Sequence, residues 1–218
     1  HRWIRLAVAA HEGDAPLPPR KVAGGALLVT AGQKSRSVLE VAVVAAGGKL
    51  TGGGARPRAL PAELEESPEA AAILQGYLAR VRAENLLAQV PKQPLPGQTS
   101  YVGADACRRC HAQQHRVWEG SSHAHAFETL VASGHDADPE CVGCHVVGLG
   151  FVSGYQDAGS SPRLKGVGCE CCHGAGSQHA AAPTESKLAE SLECCQACHV
   201  PDHSPRFNRV SYWAKIKH

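Results

Sequence analysis

The chain has 218 residues, with 22 basic and 20 acidic side chains and no basic run, which excludes the electrostatic footprint of a nucleic-acid binder. No apolar run of about 18 residues is present, so no membrane-spanning helix is expected. Aromatic residues are only 5% of the chain, too few of the large side chains that usually fill a core, so another apolar body must supply that area.

Residues 1–20 are mixed in character and end in Pro16, Pro18 and Pro19, and Ile4 to Ala10 reads as a short strand. Val22 to Thr30 is apolar and bounded by glycine. Arg36 to Ala46 holds Val38, Leu39, Val41, Val43 and Val44, Gly47-Gly48 is a turn signal, and Lys49 to Thr51 opens a further strand. The expectation is a small antiparallel meander. Residues 55–66, with Pro57 and Pro61, read as a loop. A helix then starts with Ser67 as N-cap, Pro68 at the first helical position and Glu69 at the positive end of the dipole. Ile73, Leu74, Tyr77, Leu78 and Val81 form its apolar stripe, and it runs to about Val90, where Pro91 stops it. Lys92 to Ser100 looks like a linker. The division expected is therefore a β-rich module plus helix at 1–90, a linker at 91–100, and a helical, loop-rich part at 101–218.

That last part carries one frame four times: Cys107-x-x-Cys110-His111, Cys141-x-x-Cys144-His145, Cys169-x-x-Cys172-His173 and Cys195-x-x-Cys198-His199. C-x-x-C-H is the attachment signature of a c-type haem. Two thiols on one helical turn bond the two vinyl groups of a porphyrin, and the next residue aims its imidazole at the iron. Zinc is the competing reading of paired cysteines, but zinc does not require a histidine directly after the second cysteine. Four covalent haems in so short a stretch must pack on one another, so the haem stack is expected to act as the core.

Met is absent and His occurs 13 times, so no iron here has a His/Met pair and nine histidines remain beyond the proximal ones. His115 lies four residues after His111, on the same helical face, and reads as packing beside a haem. His123 and His125, two apart on an expected helix, point in different directions, so at most one serves a given iron. His135 sits in a polar loop, His179 close to the third motif, His203 in Pro-Asp-His-Ser-Pro, and His218 at the end of the sequence. Cys171 and Cys194 are left over; neither has the offset for attachment, and they stand as disulfide candidates, free thiols or alternative attachment partners. Haem attachment and spare cysteines point to a compartment outside the cytoplasm. With no Met at its start and no visible signal peptide, the chain reads as a mature or processed form.

The stretch Tyr101-Val-Gly-Ala-Asp-Ala-Cys107-x-x-Cys110-His111, Trp118-x-x-Ser-Ser-His123-Ala, Cys141-Val-Gly-Cys144-His145-Val-Val-Gly148 and Leu164-x-Gly-Val-Gly-Cys169-Glu-x-Cys172-His173-Gly-x-Gly176 resembles the tetrahaem cytochrome c-554 family. The fourth motif fits in order. The resemblance implies four covalently bound haem c groups. It also implies distal ligand roles for His123 and His179, a third distal histidine far along the chain, for which His218 is preferred over His203, and a second haem that can lack a distal ligand. His125 stays a fourth candidate. Residues 1–90 faintly resemble the trailing region of metallophosphoesterases of the 5′-nucleotidase type through Val22 to Arg36. The metal-binding segments of that family are missing, and His11 alone is no site, so this part reads as a structural or docking module.

Three functional classes follow. In the first, the chain is an electron carrier along four mostly bis-His haems and no enzyme. Its partners are other redox proteins or copies of itself, in an extracellular, cell-surface or periplasmic setting. Tetrahaem cytochromes similar to this family can polymerise into filaments through an open, head-to-tail interface, and His1, His11 or His218 would be the histidine donated across it. In the second, a periplasmic reductase, the second haem has an open iron and acts on a small nitrogen or oxygen species; no carboxylate pair or Arg cluster lies beside that motif to support it. The third is a structural zinc module.

Overall fold

The computed structural model describes residues 4–9, 16–32, 37–46, 49–61, 64–189, 193–201 and 203–218; His1, His11 and the Gly47-Gly48 turn lie outside them. The chain forms two compact units, His1–Ser67 and Pro68–His218.

The first unit contains β1 (Leu6–Ala9), β2 (Arg20–Lys21), β3 (Leu27–Thr30), β4 (Ser37–Ala46) and β5 (Lys49–Ala59). The first three make a sheet of order β1-β3-β2, and β4 and β5 make a two-stranded ribbon. The antiparallel expectation holds for β2–β3 and β4–β5 but not for β1–β3, which pair in parallel from Leu6↔Leu27 to Ala9↔Thr30. Periodicity shows which residues form a strand but not which neighbour it takes. Here the chain between β1 and β3 crosses over and lays β2 on the far edge of β3. Val29 is sealed in this unit, and Thr30 accepts the Leu17 N–H through its hydroxyl at 2.8 Å. The segment read as a loop from residue 55 is strand as far as Ala59. Pro57 is tolerated there, opposite Leu39, because a two-stranded ribbon leaves edges on which no N–H is needed.

The second unit opens with α1 (Pro68–Ala83), which has Glu69 in its first turn and Arg80 and Arg82 in its last, as the helix dipole favours. Only Leu78 and Val81 of the expected stripe are buried, while Ile73 stays 75% exposed. Asn85 adopts a left-handed conformation (φ 49°) that ends this helix and starts α2 (Leu86–Gln89), placing Leu87 in the core. The helix grouped with the strands on sequence grounds thus lies in the same unit as the haem motifs. Tyr77 donates to Asp138 at 3.0 Å, and Arg82 pairs with Asp136. The stretch read as a linker is laced to that unit as well. Lys92 donates to the carbonyls of Leu149 and Tyr155, Gln93 bridges Phe151, and the Ser100 N–H reaches the Ser177 hydroxyl at 2.9 Å.

The remaining helices are short: α3 (Ala104–Arg108), α4 (Ala112–Glu119), α5 (Ala126–Ser133), α6 (Pro139–Val142), α7 (Cys169–His173), α8 (Ser177–Ala181) and α9 (Arg209–Ile216). Among the described residues none is long and apolar enough to cross a membrane. The core gathers Leu87, Phe127, Leu130, Val142, Val146, Val147, Leu149, Tyr155 and Leu164 around the second motif. The Gly-rich stretch after that motif folds back onto it. The Val147 N–H donates to Leu164 O and the Tyr155 N–H to Val147 O, each at 2.9 Å. Gly148 is required at the bend: its φ is +67°, and a Cβ there would meet the Tyr101 ring at 2.3 Å.

Candidate haem sites

Each motif is wound into one tight turn. The His111 N–H donates to Cys107 O at 2.9 Å, the His199 N–H to Cys195 O at 2.8 Å, and the His145 N–H to Val142 O at 2.9 Å; the third motif is the whole of α7. This winding projects both thiols and the imidazole from the same turn, as a covalently attached porphyrin requires. The second motif is started by Asp138, whose side chain caps α6 by accepting from the Glu140 N–H at 3.1 Å.

Three motif histidines face a second imidazole. The ring centres of His111 and His179, of His123 and His199, and of His173 and His218 are each 6.1 Å apart. Metal–imidazole bonds of about 2 Å, plus roughly 1 Å from each nitrogen to its ring centre, put two rings on opposite sides of one iron about 6 Å apart. The interplanar angles are 31°, 43° and 57°. The residues present therefore fit a bis-imidazole iron in three places.

The other ring nitrogen supports the same reading. Nδ1 bonds the carbonyl of Ser186 in His179 (2.6 Å), of Ala189 in His173 (2.9 Å), of Ile216 in His218 (2.9 Å) and of Ala126 in His145 (2.6 Å), while His199 Nδ1 meets the Ser204 hydroxyl at 2.9 Å. A neutral imidazole whose Nδ1–H is donated to a carbonyl keeps its Nε2 lone pair for a metal. Burial holds His123 below the ordinary imidazole value, with His199 beside it adding to the effect, and burial also lowers His199. Both stay in the neutral form that ligates.

The second motif differs. Among the described residues no histidine ring is paired with His145. His125 is not on a helix, as expected, but in the turn before α5, and its Nε2, not Nδ1, is taken up by Glu119 O at 3.1 Å. His135 lies with its Nδ1 3.7 Å from the Cys141 sulfur, near Asp138. His115 is buried beside Trp118, 5.1 Å between ring centres, and its Nε2 makes no hydrogen bond, with Asp105 Oδ1 3.9 Å away.

Residues 106–174 match the family described as cytochrome c554 and c-prime. Cytochrome c-554 of Nitrosomonas europaea is 36% identical over 99 residues, which cover 38% of this chain and 42% of that protein. The haem-motif region is similar to the cytochrome c-554 family. The chain thus spans less than half the length of the curated relative it matches. No solved structure matches. The thiols show how the four motifs adjoin. The Cys107 thiol lies beside that of Cys169, Cys144 beside Cys198, and Cys194 beside both Cys172 and Cys195. No S–S bond joins Cys171 to Cys194. The Cys171 thiol donates to Val146 O, and burial pushes it up to about 12, which leaves it unreactive.

Sequence reasoning did not foresee the aromatic walls of the fourth motif, where Phe207 stacks on His199 at 4.6 Å and 7° and Tyr212 meets it edge-on. It also passed over Glu170, whose only signal was its place inside the third motif.

Proposed function

We propose that residues 101–218 bind four haem c groups and carry electrons along them. The observation behind this reading is the set of three facing imidazole pairs at 6.1 Å, each containing one motif histidine. His111 with His179 would hold the first iron, His173 with His218 the third, and His199 with His123 the fourth, with Cys107, Cys110, Cys141, Cys144, Cys169, Cys172, Cys195 and Cys198 as the thioether residues. The haems supply one-electron chemistry; the chain fixes their spacing and ligand orientation. Two imidazoles and no methionine favour low potentials. The thiol contacts join the first motif to the third, the third to the fourth and the fourth to the second, so the relay order is 1–3–4–2.

The partners are other redox proteins or further copies of the chain, outside the cytoplasm in a periplasmic or extracellular setting. A filament subunit is the fuller version. It is favoured by an end of the relay, at His145, that no described histidine of the chain closes, and a histidine donated by a neighbouring copy would close it. Intact-protein mass and electron paramagnetic resonance (EPR) of the holoprotein test the assignment. Four haem increments and at least three low-spin bis-His signals are expected; bound zinc, or fewer than four haems, would sink it. Negative-stain microscopy at high concentration tests the filament, and monomers alone would remove it.

That no described histidine faces His145 also favours a second reading, a reductase in which the second iron is open to a small nitrogen or oxygen species. A purely low-spin spectrum would exclude that reading.

A further inference from the structure

Glu170 sits between the first two cysteines of the third motif and is 4% exposed. Its carboxylate accepts three backbone N–H groups from two other segments. Oε1 takes Val102 at 3.0 Å and Gly176 at 2.8 Å, and Oε2 takes Gly103 at 2.8 Å and Val102 at 3.1 Å. Every partner is a donor, which suits a carboxylate, an acceptor-only group. Each segment leads to a ligand. Val102 and Gly103 enter α3, which carries Cys107 and leads to His111. Gly176 enters α8, which carries His179. Glu170 itself lies on α7 with His173. The approach at Gly176 is close enough that a Cβ there would stand 3.2 Å from Glu170 Oε1. One buried side chain thus ties the proximal turn and the distal helix of the first iron to the helix of the third.

We propose that Glu170 is the positioning residue of the first haem: its carboxylate sets the approach of His179 to His111, and its negative charge, held beside the first and third attachment sites, lowers the potential of the iron between those two rings. The charge lies beside both sites, since Glu170 follows Cys169 on α7 and bonds the backbone that enters α3 toward Cys107. The effect of a fixed charge is largest where water is excluded, and Glu170 has almost none around it. The proposal rests on the haem assignment above.

The test is a redox titration of the holoprotein followed by EPR, with the first haem identified as the low-spin signal lost in His179→Ala. Glu170→Gln keeps the shape, removes the charge, and turns an NH2 toward a backbone N–H. It is expected to shift the oxidised-to-reduced ratio of the first haem at least tenfold toward reduced at the wild-type midpoint, which for one electron is 59 mV. Its g-values should move as well, while the fourth haem stays unchanged. Glu170→Asp keeps the charge but not the reach, so it should hold the potential near wild type and still alter the g-values. An unchanged first haem in Glu170→Gln, or an equal shift in all haems, overturns the proposal. If Glu170→Gln yields no holoprotein, unchanged g-values in Glu170→Asp overturn it. A wild-type protein without bis-His signals overturns the haem assignment and this proposal together. A wild type with those signals and a silent Glu170→Gln overturns the proposal alone.

Discussion

Val142 inside the second motif and Val146 and Val147 just after it are sealed from solvent, in a cluster that also holds Phe127, Tyr155 and Leu164, whereas among the described residues from Glu193 to His218 none is buried. The second motif is enclosed by polypeptide and, among the described residues, has no facing imidazole. The fourth is thinly covered, but His123 faces it and Phe207 and Tyr212 wall it. The contrast teaches that the two ends draw their order from different sources. Side-chain packing serves one, and rings gathered about the motif histidine serve the other.

The sharpest way to break that contrast is to stop attachment at the fourth motif. Replacing Cys195 and Cys198 by Ala is expected to erase amide hydrogen-exchange protection across 193–218 while the 142–164 amides keep theirs. Equal loss in both places would show that the two regions fold as one. Next in size is the core itself. Phe127→Ala is expected to destabilise the holoprotein by about 3–5 kcal/mol and Phe207→Ala by less than about 2 kcal/mol, read from denaturant midpoints. A reversed order would place the larger packing term at the fourth motif. Carbon monoxide added to the reduced protein should bind one haem per chain if His145 stands alone, and two in His123→Ala, counted by optical titration. No binding in the wild type would mean that the second iron has found a sixth ligand.

The smallest effect lies on the loop that covers the second motif. The Ser160 hydroxyl, with the Ser160 and Gly159 N–H groups, holds the exposed Asp157 below the ordinary carboxylate range. A lowered folded-state pKa gives stability that is present above the unfolded value of about 3.9 and fades as pH falls through the folded one. Ser160→Ala should therefore cost a little stability at pH 7 and nothing once the carboxyl is protonated in both forms, a difference that urea midpoints at the two pH values would show.

The start of α1 at Pro68 and the four attachment frames were legible because each is a local pattern: a proline at a helix start, and three residues on one turn. The partner of β1 was not, since strand pairing is decided by what lies across space. Nor could spacing choose between His123 and His125. The choice is visible in a bond from His125 to Glu119 O, a contact with the backbone that no side-chain pattern encodes. His179 and His218 came into view only by resemblance, and the structure sets them opposite His111 and His173 across 68 and 45 residues of sequence. Glu170 showed in the sequence only as a position inside the third motif, because its partners at Val102 and Gly103 lie 68 and 67 residues away.

The lacing of Lys92, Gln93 and Ser100 onto the loop and helix that follow the second and third motifs has a consequence for inheritance. A segment that moves between genes as a working haem carrier has to bring its strap with it. The natural cut is therefore at Pro68, where the compact unit begins, and a shorter piece starting at Tyr101 would leave Leu87 out of the core and the carbonyls of Leu149 and Tyr155 without their lysine.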